Sequence, residues 1–343
     1  MKRKNKIIVV SIVVCVAFAL LTAGSVFAVK TVLTDDSVTD NLAKQDLSLL
    51  FDEIDEHEAQ GKGPEELTYY ALALVEKLGE NISQEFLEKI LKSERSDTLK
   101  VLLLQCCEYA QADIDYTEFA DMLQDQTIGY DVRSNILANI YTAAEPDVSL
   151  IEKTARGADE RLAFTALRYL WNVNPDAACT IADEIVENYD EASTYEVRGA
   201  LMIMSAEFEN GATKEKTQRF LDLCEKVMSD DRFSPEEDMQ GKVFVALATA
   251  KTWDGYVYIL SSEQFTAEQK IYTVGQHEEL ICEKLADEKL TQEELSLILQ
   301  GISLYNEKSW IAELSAAKSF FAANEAYAAD IADVITCLEK NGE

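Results

Sequence analysis

A recurring unit of about thirty residues constrains this chain more than any other feature. Each copy reads as a helix-period stripe, a tight turn, and a second stripe opening on an acid and an arginine. The openings are Asp131-Val132-Arg133, Asp159-Glu160-Arg161 and Glu196-Val197-Arg198, with Ile136, Phe164 and Leu201 three positions after each arginine. Units begin near residues 83, 115, 146, 175 and 213, giving spacings of 32, 31, 29 and 38. An array of this kind grows along one axis, so 343 residues need not divide into separate globular cores. Only 4 prolines and 13 glycines leave little material for hairpins, and 48% hydrophobic residues exclude disorder as the main state. The predicted fold is all-α: an α-solenoid of stacked antiparallel helix pairs.

Local signals place the helices. A first helix is predicted over 41–60, with Leu47, Leu50, Phe51 and Ile54 on one face. Ser83 reads as a cap, and Asp97 precedes a stripe of Leu99, Leu102, Leu103, Cys106, Cys107 and Ala110. Asp115 to Glu118 resembles a capping box, while Pro146 and Pro175 open first helices, the latter behind Asn174. Ser234-Pro235-Glu236-Glu237, Thr266 to Gln269 and Thr291 to Glu294 repeat the capping signature. The last two helices fall near 310–323 and 326–340 and read as a terminal cap. With no Gly/Ser or Pro linker in between, 41–341 reads as one continuous helical-repeat domain.

The first residues carry a different signal. Lys2, Arg3, Lys4 and Lys6 precede an uncharged run from Ile7 to Val29 that ends in Ala23-Gly24-Ser25-Val26-Phe27-Ala28. The run is long enough to span a bilayer, and its end suits signal peptidase. Residues 1–28 are therefore either a signal peptide or an N-terminal anchor, with 29–40 a short tether. In both cases the basic flank keeps the N-terminus inside and sends the remainder outside, secreted or anchored.

Beyond Cys15 the chain has Cys106, Cys107, Cys179, Cys224, Cys282 and Cys337. Their wide spacings, the lack of a CxxC and their place on apolar stripes predict buried free thiols rather than bridges.

No residue qualifies as catalytic, cofactor-binding or metal-ligating. His57 sits at the edge of an apolar stripe with only Glu53 one turn away, and His277 has no histidine four residues on. Asp113, Asp115 and Thr117 start like a calcium loop, but Glu118 and Gln124 stand where glycine and glutamate are needed. With 63 acids, carboxylate pairs occur by chance and nominate no glycosidase.

The helix pair with an acid–apolar–arginine opening resembles the HEAT-repeat family and its armadillo-like relatives over about residues 83–211. The resemblance implies a structural ladder between neighbouring units, assigning such roles to Asp131, Arg133, Asp159, Arg161, Glu196 and Arg198. The chain departs from that pattern in its short units, in Glu160 where a small apolar residue is usual, and in Lys100 where the first arginine would stand.

A solenoid is a shape rather than an activity. The function expected is an exported scaffold for protein–protein interaction, not an enzyme; the alternative is an exported all-α enzyme such as an (α/α) toroid acting on polysaccharide. No cofactor is expected. A net charge of −32 repels nucleic acid and anionic lipid, leaving membrane contact to the N-terminal segment if it is retained. The expected partner is a protein or peptide, with a basic one the electrostatic complement of acids crowded at Asp183, Glu184, Glu187, Asp190 and Glu191 and at Asp230, Asp231, Glu236, Glu237 and Asp238.

Overall fold

The computed structural model describes residues 41–61, 64–208 and 213–340. The N-terminal segment and tether, 1–40, on which the export expectation rests, lie outside the described residues. Within the described residues the regular structure is entirely helical, with no strand. Helices pack as neighbouring pairs, as expected of a solenoid-like all-α chain. No helix among these residues is long and apolar enough to cross a membrane. Contacts separate into two compact units that meet in sequence at Val173 and Asn174, a junction with no linker signature. Each unit is described by itself.

The first unit contains α1 (Leu47–Ala59), α2 (Pro64–Leu78), α3 (Gln84–Leu91), α4 (Asp97–Ala110), α5 (Ala120–Gln124), α6 (Tyr130–Thr142), α7 (Val148–Ala155) and α8 (Glu160–Val173). They pair α1 with α2, α3 with α4, α5 with α6 and α7 with α8. The second members α2, α4, α6 and α8 also touch in series, forming one layer. The predicted stripe of α4 is buried at Leu99, Leu102, Leu103, Cys106 and Cys107, facing the interior with Val132, Ile136, Leu137 and Ile140 of α6. Full burial of each Leu or Ile contributes about 1.5–3 kcal/mol, so these seams rather than helix propensity stabilise the pairs.

Local differences from expectation have visible causes. The first helix is interrupted: residues 41–44 are helical, but α1 starts only at Leu47 behind an extended Asp46. The ammonium of Lys77 on α2 donates to the carbonyls of Ala43 and Gln45, which removes them from helical bonding. Asp115 forms no capping box. Its carboxylate accepts from Thr117 N at 2.9 Å and starts a 3₁₀ turn, Tyr116–Phe119, that leaves α5 only five residues long. Ser96 rather than Asp97 caps α4, and Asp147 rather than Pro146 prepares α7.

The second unit contains α9 (Pro175–Glu187), α10 (Thr194–Glu207), α11 (Lys214–Met228), α12 (Met239–Ala250), α13 (Trp253–Ser261), α14 (Ala267–Gln276), α15 (Glu278–Leu285), α16 (Gln292–Tyr305), α17 (Trp310–Phe320) and α18 (Glu325–Lys340). Its pairs are α9 with α10, α11 with α12, α13 with α14, and α17 with α18. A second layer runs α10, α12, α14, α16, α18. Asn174 caps α9 with Pro175 at the first position, and Thr266 and Thr291 make the predicted capping boxes. The box at Ser234 opens a 3₁₀ turn, Pro235–Glu237, instead of a helix. Asp238, at φ +48, then caps α12 through Gly241 N.

Candidate interaction face on the second helices

The residues singled out for chemistry are placed in structural roles. His57 is buried, edge-on to Tyr70 at 6.0 Å between ring centres. His277 is also buried, at the joint where α14 ends and α15 begins, beside an open groove of about 460 Å³ lined by Lys251, Gly275, Gln276, Glu279 and Glu283. Its Nδ1–H donates to the Thr273 carbonyl at 2.8 Å, which fixes the tautomer and leaves Nε2 as a buried acceptor with no protein partner. Burial lowers its pKa and Lys251 lowers it further, against the Thr273 carbonyl, so the ring is held neutral. Among the described residues no three metal-ligating side chains come together.

The arginine ladder forms a rung at Arg133. Arg133, 4% exposed, donates through Nη2 to Asp159 Oδ2 at 2.6 Å and through Nε to the Ile128 carbonyl at 2.9 Å. Asp159 accepts at the same time from Leu162 N at 2.9 Å, capping α8. The other implied members do different work. Asp131 is exposed, Glu196 closes a capping box with Ser193, and Arg161 is exposed with its guanidinium over the Tyr130 ring. Arg198 lies over Tyr195 at 5.3 Å. The Arg133–Asp159 rung thus holds α6 to α8.

The cysteine expectation holds for bonding and only partly for burial. Cys106, Cys107, Cys179, Cys224, Cys282 and Cys337 are all free, but only Cys106, Cys107 and Cys224 are buried, while Cys337 is exposed. Its neighbour Leu338 is buried, so Cys337 lies on the outward side of α18.

The two acidic clusters are engaged in the second unit. Asp183 pairs with Arg219 at 2.6 Å and Asp190 with Lys226 at 2.9 Å. Asp230 pairs with Arg232 at 2.8 Å and accepts from the Tyr189 hydroxyl, also at 2.8 Å. Arg232 in turn stacks on Tyr189 at 4.3 Å and donates to the Tyr189 and Asp190 carbonyls. Glu237 caps Ser234 and accepts from the Thr194 hydroxyl. Asp183 thus ties α9 to α11, Asp190 and Glu237 tie loops to helices, and Asp230 ties two loops together.

What stands apart is the second-helix layer of the first unit. Helices α4, α6 and α8 of this layer together carry four acids (Asp97, Glu108, Asp131, Glu160) and four bases (Lys100, Arg133, Arg161, Arg168), so these three helices are charge-balanced within an acidic chain. Arg161 and Arg168 are both exposed and lie seven residues apart, hence on one side of α8. The Arg161 guanidinium sits 3.6 Å from the centre of the Tyr130 ring, whose hydroxyl bonds Thr165 Oγ1 at 2.9 Å. Further along the same seam Tyr141 of α6 and Tyr169 of α8 stack at 4.4 Å with planes 6° apart. Burial raises the Tyr169 hydroxyl pKa; Arg168 opposes this, and Tyr130, Tyr141 and Glu108 add to it. All four groups therefore lie within electrostatic reach of Tyr169.

The second unit presents apolar side chains on its own second helices. Val245 is 58% exposed on α12, Tyr272 53% on α14 and Leu304 37% on α16. Phe244 meets Tyr272 at 5.9 Å between ring centres.

No family model, curated protein or solved structure matches this chain. The reading of its function therefore rests on the faces themselves. Sequence reasoning missed Tyr130, Tyr141, Tyr169 and Arg168, and took Arg161 for a ladder residue. The signal for them was the even number of acids and bases on α4, α6 and α8 in an acidic chain.

Proposed function

We propose that this chain is an exported, HEAT-like helical-repeat protein that acts by binding another protein on its second-helix layer. The observation carrying the reading is the α6–α8 seam, where exposed Arg161 and Arg168 lie beside stacked tyrosines in a chain of net charge −32. Tyrosine and arginine are the side chains that interfaces enrich, because each offers a large rigid contact area with a polar edge. The apolar side chains on α12, α14 and α16 support the same use of the second helices in the other unit. The acid clusters, some of whose members sit in caps and ion pairs, contribute a field that steers a basic region of a partner rather than anchoring it. Export rests on the N-terminal segment.

A photo-crosslinking residue at Ala138, half-exposed on α6, compared with one at Lys153, exposed on α7, tests the reading. A reproducible adduct of one mass from Ala138 and not from Lys153 is expected. Equal labelling at both positions, or none, would overturn it.

A further inference from the structure

We propose that the α6–α8 face receives an extended acidic peptide, with Arg161 and Arg168 pairing two of its carboxylates. This rests on the reading of the second-helix layer as a binding face and names the chemistry of what binds there. Acids outnumber bases by 63 to 31 in the chain, and other arginines find them readily. Arg95 bonds Asp52 and Asp55, Arg133 bonds Asp159, Arg219 bonds Asp183 and Arg232 bonds Asp230. Among the described residues neither Arg161 nor Arg168 has an acidic side chain within ion-pair distance. Two uncompensated guanidiniums on one side of one helix are a complement for anions that the chain itself does not supply.

Arg161 is also preorganised. Tyr130 covers one face of its guanidinium at 3.6 Å, and Thr165 anchors the Tyr130 hydroxyl while donating to the Arg161 carbonyl at 3.1 Å. The fork edge stays open in a fixed orientation, which suits bidentate pairing with a carboxylate at reduced entropic cost. The spacing selects the ligand's shape. Seven residues of α-helix separate the two arginine positions by about 10.5 Å. A polyproline II strand brings every third residue to the same side at about 9 Å, so carboxylates three residues apart reach both. The flat Tyr141–Tyr169 stack lies alongside and offers apolar surface to prolines between the acids. Glu108, on the α4 side of Tyr169, bounds the face by repelling a carboxylate there. At about 0.15 M salt acids farther than about 8 Å are screened, so of the chain's many carboxylates only near ones such as Glu160, next to Arg161, oppose the ligand.

Fluorescence anisotropy of the full chain with a labelled oligomer of Glu-Pro-Pro, at about 0.15 M salt, tests this directly. Saturable binding is expected, weakened about tenfold by the Gln-Pro-Pro counterpart and by the Arg161→Gln, Arg168→Gln double variant, whose helicity is checked by circular dichroism. No binding of the Glu-Pro-Pro oligomer, or equal binding of its glutamine counterpart or by the double variant, would overturn it. If the double variant keeps the Ala138 adduct, the acidic-peptide inference fails while the protein-binding reading stands. If no adduct and no peptide binding are found, both fail.

Discussion

Arg133 reaches from α6 to the cap of α8 and bonds Asp159 at 2.6 Å while Asp159 holds the first turn of α8 through Leu162 N. One carboxylate therefore serves a helix end and an inter-helix tie together. Arg133→Ala leaves the Ile128 carbonyl and Asp159 Oδ2 without the guanidinium donor, and should cost roughly 1–3 kcal/mol. Arg161→Ala, at an exposed site, should cost less than about 1 kcal/mol. Denaturant melts of the two variants check the order; a larger loss at Arg161 would sink the assignment.

Acid should weaken the same tie. Burial works to raise the Asp159 carboxyl, but the Leu162 N–H and Arg133 outweigh it and hold its pKa below the ordinary value of 3.8. Its stabilisation is thus complete above that value and lost as pH falls through the lowered one. The difference in stability between wild type and Asp159→Asn should shrink on moving from pH about 6 to pH about 3.

His277 acts at higher pH with its own sign. Its folded pKa lies below 6.5, so the unfolded chain takes up the proton first as pH drops, and stability falls from about pH 6.5 downward. His277→Gln should flatten that part of the profile while leaving the carboxylate region unchanged. Urea midpoints between pH about 5 and 8 would show it; parallel profiles would refute it.

Gly301 on α16 is required by a close approach. A Cβ there would stand 2.6 Å from the Tyr256 hydroxyl and 3.0 Å from Val274 Cγ2. Gly301→Ala should destabilise by roughly 1–3 kcal/mol through overpacking. Tyr256→Phe removes the obstructing oxygen, which has no protein hydrogen-bond partner, and should be near neutral alone and rescue part of the alanine variant. A thermal double-mutant cycle with no coupling would contradict this contact.

The free thiols should react in an order set by burial. Cys337 is exposed, whereas burial pushes the Cys107 thiol up to about 12, and raises Cys106 and Cys224 as well. Aromatic-disulfide titration of the native chain should modify Cys337 first and leave these three until denaturant is added. In denaturant without reductant all six cysteines beyond Cys15 should titrate; fewer would reveal a bridge.

The sequence by itself determined the helices and much of their punctuation. Side-chain periodicity and capping are local: a stripe such as Leu99 to Cys107 or a box such as Thr291 to Glu294 is complete within one turn or a few. That locality is why the pairing of α7 with α8, or of α9 with α10, could be read from residue spacing.

Tertiary structure alone decided which local signals survived and what each charge does. Lys77, more than thirty positions away in sequence, interrupts the first helix by taking the carbonyls of Ala43 and Gln45. Of the similar acid–arginine openings, Arg133 meets a carboxylate from the next pair, whereas Arg161 meets a tyrosine ring. Charge pairing and ring stacking depend on distances between chain segments, which a periodic pattern repeated along one axis leaves unspecified until the helices are packed.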